Sequence, residues 1–95
     1  MEPAASIRLD KWLWHARLCK TRSLAARLIE AGAVRVNGAR ALKPATLLRL
    51  GDGVTFAHGG QVRALRVRDF GQRRGPAPEA QQLYEDLDAR AAPAP

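Results

Sequence analysis

The apolar residues of this chain change period once, and that change limits the folds open to it. Leu9, Trp12, Leu13 and Ala16, then Leu24, Ala25, Leu28 and Ile29, recur at three- and four-residue steps. Such steps place side chains on one face of a helix. From Val34 the pattern alternates instead, and Val34 and Val36 run into Asn37-Gly38. An Asn-Gly pair between alternating residues predicts a two-residue hairpin turn, because both central positions need positive φ. Two short helices followed by hairpins therefore predict an α+β fold: a helix pair packed on a small, mainly antiparallel sheet.

Punctuation along the chain refines this. Thr21 is placed to cap the second helix, its hydroxyl accepting a free backbone N–H. Gly32 follows the last periodic residue, where a left-handed terminator belongs. Ala39–Leu42 reads as the return strand, broken by Pro44, and Leu47–Leu50 as another short strand before Gly51-Asp52-Gly53. Val54–Ala57 and Val62–Val67 flank His58-Gly59-Gly60, a second hairpin. The expected organisation is a disordered lead over 1–6, one domain over 7–70 and a breaker-rich linker over 71–78. A C-terminal helix over 79–90 and a mobile tail over 91–95 complete it. Leu83, Tyr84 and Leu87 would dock that helix onto the sheet. With 95 residues, one core is all that such a chain can build.

Charge is the strongest signal of function. The net charge is +7, and thirteen of the sixteen bases are arginine. Between residues 7 and 49 stand ten bases (Arg8, Lys11, Arg17, Lys20, Arg22, Arg27, Arg35, Arg40, Lys43, Arg49) against Asp10 and Glu30. Residues 75–95 reverse the balance, with Arg90 against Glu79, Glu85, Asp86 and Asp88. The planar guanidinium suits phosphate and stacks on bases, so a polyanion partner is favoured over a merely solubilising surface.

Other chemistry has little to stand on. Cys19 lacks a second cysteine for a disulfide or a multi-cysteine metal site, and reads as a small buried apolar residue in a cytoplasmic protein. His15 and His58 lack neighbours at ligand spacing, so no metal is expected. No Gly-rich phosphate loop or carboxylate constellation suggests an enzyme, and no cofactor is implied. Neither a membrane-spanning run nor a secretory leader is expected. Trp12 belongs to the apolar stripe and to the core. Trp14 lies off it, open between a second packing surface and an exposed stacking or protein-contact site.

The run RLDKWLWHARLCKTRSLAARLIEAGAVRVNG, residues 8–38, resembles the S4 RNA-binding domain. The pieces of that resemblance are Arg8-Leu9-Asp10, Lys20-Thr21-Arg22, Leu28-Ile29-Glu30-Ala31-Gly32 and Val34-Arg35-Val36-Asn37-Gly38, with Lys43-Pro44 and Gly51-Asp52-Gly53-Val54 later. Asp10-Lys11-Trp12-Leu13-Trp14 and the distal Gln72-Arg73-Arg74 and Leu83-Tyr84-Glu85 extend it toward small ribosome-associated members. The resemblance implies a partner of structured RNA, namely the 23S rRNA of large ribosomal subunits that still carry nascent chain on tRNA, bound in heat-shock rescue. The alternatives are an S4 adaptor for ribosome assembly or another RNA, and a basic protein-binding module.

The expected RNA contacts are Arg8, Lys11, Arg17, Lys20, Thr21, Arg22, Arg27, Arg35 and Lys43, helped by N–H groups at the helix N-termini. Asp10 is expected to cap the first helix or to hold Arg22 or Arg17 in place. Asn37, Gly38 and Gly32 are expected to support the backbone. A monomer is expected.

Overall fold

The structure is a computed structural model that describes residues 5–87. Strand β1 (Ile7–Arg8) leads directly into helix α1 (Leu9–His15), and helix α2 (Arg22–Glu30) follows after a tight corner. Strands β2 (Val34–Val36) and β3 (Ala39–Arg40) form the first hairpin. Next come β4 (Leu47–Leu48), β5 (Gly53–His58), β6 (Gln61–Val67), the short helix α3 (Ala77–Ala80) and β7 (Tyr84–Asp86). The main sheet has the order β3-β2-β5-β6-β7, antiparallel throughout, and β1 pairs with β4 in a separate two-stranded ribbon.

Both helices end in the same way. At the end of α2, Gly32 N–H donates to Ile29 and Ala33 N–H to Leu28, with Gly32 at φ 81°. At the end of α1, Arg17 N–H donates to Trp14 and Leu18 N–H to Leu13. This paired closure needs a left-handed residue, normally glycine. In α1 that residue is Arg17, at φ 59°. The cost of a side chain there is about 1 kcal/mol.

The hairpins follow their turn residues. Val36 faces Ala39 across Asn37-Gly38, and His58 faces Gln61 across Gly59-Gly60. All four turn residues have positive φ, which matches the right-handed twist of the strands they join. The second turn is therefore Gly59-Gly60 alone, and His58 is the last residue of β5.

The core lies between the helix pair and the inner sheet face. Trp12, Leu9, Leu13, Ile29, Leu48, Leu65, Val34, Val54 and Val67 are fully buried in it. Trp12 is core, as its stripe position predicts, and its Nε1 donates to Asp69 O at 3.0 Å. Trp14 is half-buried beneath the Arg74 guanidinium, 6.0 Å from the ring centroid. It thus forms a second packing surface.

The C-terminal region differs from expectation. Where a helix is expected over 79–90, residues 77–86 form helix at Ala77–Ala80, a single 3-10 turn at Gln81–Leu83 and then strand β7 along the edge of β6. The reason is electrostatic and lies in β6, distant in sequence. On a helix Glu85 and Asp86 would be solvated, whereas on β7 they face the arginines of β6. Asp86 pairs with Arg63 at 2.9 Å and Glu85 with Arg66 at 3.8 Å. Leu83 is buried, and Tyr84 meets Trp12 edge-on at 6.5 Å. Residues 1–4 of the expected lead, 88–90 of the expected helix and the tail 91–95 lie outside the described residues.

Candidate nucleic-acid interface

The centre of the basic surface is one buried carboxylate. Asp10 is 4% exposed in the first turn of α1. Its Oδ1 accepts from Arg8 Nε at 3.1 Å and from Lys11 N–H at 2.8 Å. Its Oδ2 accepts from Arg8 Nη2 at 3.0 Å and from Arg22 Nε at 3.3 Å. The Arg8 contact is a two-pronged fork, the geometry that best fixes a guanidinium. Burial pushes the Asp10 carboxyl up, but the hydrogen bonds and charges of Arg8 and Arg22 together hold it below its usual value.

Two guanidiniums share this one carboxylate, so the cluster remains positive. Both arginines keep much of their surface free, at 47% for Arg8 and 43% for Arg22. Asp10 therefore orients two cations without neutralising them. Of the two partners expected for Asp10, Arg22 is present and Arg17 is not. Arg8, two residues away on β1, takes the other place.

Neighbouring elements add to the cluster. Thr21 caps α2 as expected, its Oγ1 accepting Leu24 N–H at 3.0 Å, and so fixes the corner that carries Lys20 and Arg22. Lys11 stands exposed beside Asp10 on α1. The first two N–H groups of α1 do not face an anion. Leu9 N–H donates to Thr46 O at 2.7 Å and Asp10 N–H to Pro44 O at 3.2 Å. That corrects the expectation of a free helix N-terminus here. It also brings Lys43, next to Pro44, close to the cluster.

The other expected residues are placed elsewhere. Arg17 stands at the far end of α1, about 10 Å along the axis. Its Nε donates to Gly75 O, tying α1 to the chain beyond β6. Arg27 lies five residues from Arg22 on α2, about 140° around the helix. Arg35 belongs to β2 and directly faces Arg40 of β3. Among the described residues, Lys11, Lys20, Arg27, Arg35, Arg40 and Lys43 are exposed and form no ion pair.

The supporting residues act through backbone geometry. Asn37 accepts Gly53 N–H through Oδ1 at 2.9 Å and donates Nδ2 to Asp52 Oδ1 at 3.1 Å. Asp52 in turn accepts Arg49 N–H at 2.8 Å. The Asn-Gly turn and the Gly-Asp-Gly turn are thus joined. Gly38, at φ 84°, completes the hairpin turn. Gly32 has a further role, because a Cβ there would lie 3.1 Å from Arg40 Cδ. Arg40 is the residue that sequence reasoning passes over, although the Asn-Gly turn already places it opposite Arg35.

Burial pushes the Cys19 thiol up to about 11, which keeps it protonated and unreactive at neutral pH. No helix among the described residues is long and apolar enough to cross a membrane.

Comparison with known proteins agrees with this geometry. The S4 domain profile matches residues 7–54, from β1 into β5, and so takes in the whole basic cluster. The chain belongs to the S4 domain family. It is 45% identical to heat shock protein 15 of Escherichia coli K12 over 90% of its own length, and spans 63% of that longer protein. It is 31% identical to the RQC P-site tRNA stabilizing factor of Listeria innocua, covering 88% of this chain and 89% of that one. A structure of Vibrio cholerae heat shock protein 15, described as trimeric, superposes with a TM-score of 0.81 at 40% identity, covering 93% of this chain and 94% of that one.

Proposed function

We propose that this chain binds structured RNA on the large ribosomal subunit while that subunit still carries nascent chain on tRNA, and that it acts in the cytoplasm as a non-catalytic factor in rescue of stalled translation. The observation that carries this reading is the Arg8–Asp10–Arg22 cluster, flanked by Lys11, Lys20 and Lys43 without acidic partners. Fixed guanidiniums at a rigid helix corner suit the backbone of folded RNA, whose base edges lie too deep for side chains. The names of two relatives point the same way: one is a heat shock protein, the other a stabilizing factor for P-site tRNA.

On this account 23S rRNA and the bound tRNA supply the phosphates. The Vibrio relative is described as trimeric; here one chain per subunit is proposed, and light scattering at the 10.4 kDa of one chain is the expected result. The deciding experiment is co-sedimentation from lysate. Recovery with large subunits bearing peptidyl-tRNA supports the reading. Recovery with small subunits or free RNA alone would move it to the S4 adaptor alternative.

A further inference from the structure

A further cavity has only Lys43 in common with the flank of the Asp10 cluster. It is an open depression of about 450 Å³ beside β3, walled by Val36, Ala39, Ala41 and Leu42, with Arg40 and Lys43 among its lining residues. Ligand sites have about this size and make-up, largely apolar walls with a few polar groups. Leu42 is 56% exposed there. β3 is also the edge of the main sheet, so its outer row of peptide groups has no strand partner among the described residues.

Three observations bear on the occupant. Arg35 and Arg40 face each other directly across the hairpin, and like charges so placed destabilise a sheet unless something compensates them. Neither forms an ion pair among the described residues. The Arg40 side chain passes close to Gly32, where an added Cβ would come within 3.1 Å of its Cδ, so the glycine gives this lining residue its room. A protein partner would meet a strongly charged wall, and cores of protein interfaces are depleted of charge.

We infer that this cavity receives one unpaired nucleotide of the bound RNA. The base lies against Val36, Ala39, Ala41 and Leu42, its own edge meets the open peptide edge of β3, and its phosphates meet Arg40 and Lys43. Unstacked bases are what proteins read in RNA, often against a guanidinium plane. This inference rests on the RNA-binding reading and adds selectivity for an extruded base, a property the Asp10 cluster does not supply.

Two RNA hairpins test it with the full chain. One has a fully paired stem, and the other carries a single bulged 2-aminopurine, whose emission reports unstacking. The wild type is expected to bind the bulged hairpin about tenfold more tightly, the effect of one base contact, with a change in emission. Leu42→Glu and the milder Leu42→Ala, at an exposed position, are expected to reduce that preference while leaving the paired hairpin and thermal melting unchanged. Equal wild-type affinity for both hairpins overturns the inference but leaves the RNA reading intact. Failure to bind either hairpin overturns both. A concentration-dependent oligomer that Leu42→Glu dissolves, with the RNA preference intact, overturns the inference in favour of contact between copies.

Discussion

The two halves of this molecule pair their arginines differently. In residues 7–49 ten bases face two acids, and most of their charge points to solvent. In residues 50–87 five bases (Arg63, Arg66, Arg68, Arg73, Arg74) face five acids (Asp52, Asp69, Glu79, Glu85, Asp86). There Arg63, Arg66 and Arg73 are in ion pairs, and Arg74 stacks on Trp14 and donates to its carbonyl. On the proposed reading the first half, Arg17 apart, keeps its charge for RNA, whereas the second uses it to close the fold. A pI near 11.1 hides this division.

If that division is right, substitutions in the two halves should separate RNA affinity from stability. The largest effect on binding is expected from Lys20→Ala with Arg22→Ala, at the corner. Each cation withdrawn from a phosphate should weaken binding about tenfold, so the double variant should bind roughly a hundredfold more weakly. Chemical melting should be nearly unchanged, because Asp10 keeps Arg8. A large fall in stability would show that the corner cations serve the fold after all.

Asp10→Asn tests the link between the two roles. Loss of charge-assisted bonds to two guanidiniums should cost about 2 kcal/mol of stability and several-fold in RNA affinity, since Arg8 and Arg22 are released. The pH dependence has a definite sign. The folded carboxyl titrates below its ordinary value, so its contribution is present above about pH 4 and is lost as pH falls through the lower folded value. Acid melts of wild type and Asp10→Asn should therefore converge on acidification. Parallel curves would show that the carboxylate is not the responding group.

Arg63→Ala should do the reverse. Its pair with Asp86 and its place 5.7 Å from the Tyr84 ring hold β7 on β6. A partly exposed pair of this kind contributes roughly 1 kcal/mol, and RNA affinity should not change. Smallest of all is Arg73→Ala, whose partner Glu79 is also exposed. Neither melting nor binding should move.

How much of the fold and site is legible in the sequence depends on the range of the interactions. The α1–α2 corner, the Thr21 cap, the Gly32 stop and the Asn-Gly turn are local, and the chain spells them out within a few residues. The Asp10–Arg22 pair spans twelve positions, and the sequence offers it only as one of three choices, beside a helix cap and a pair with Arg17. Tyr84–Asp86 escapes sequence reading because Leu83, Tyr84 and Leu87 fit helical spacing. What decides for β7 is the open, basic edge of β6, about twenty residues upstream, which no local pattern reports. Arg17 is similar: its bond to Gly75 depends on a segment 58 residues away. A close basic run does not reveal which arginine will be taken by the fold.

The most direct measurement is the salt dependence of binding to purified large ribosomal subunits bearing peptidyl-tRNA. With about five phosphates contacted, the logarithm of affinity should fall against the logarithm of salt with a slope near −4. Arg22→Ala should flatten that slope by about 1, and Arg73→Ala should leave it as it is. A slope near zero, or an equal change in both variants, would contradict the claim that the first half of the chain holds its cations for RNA.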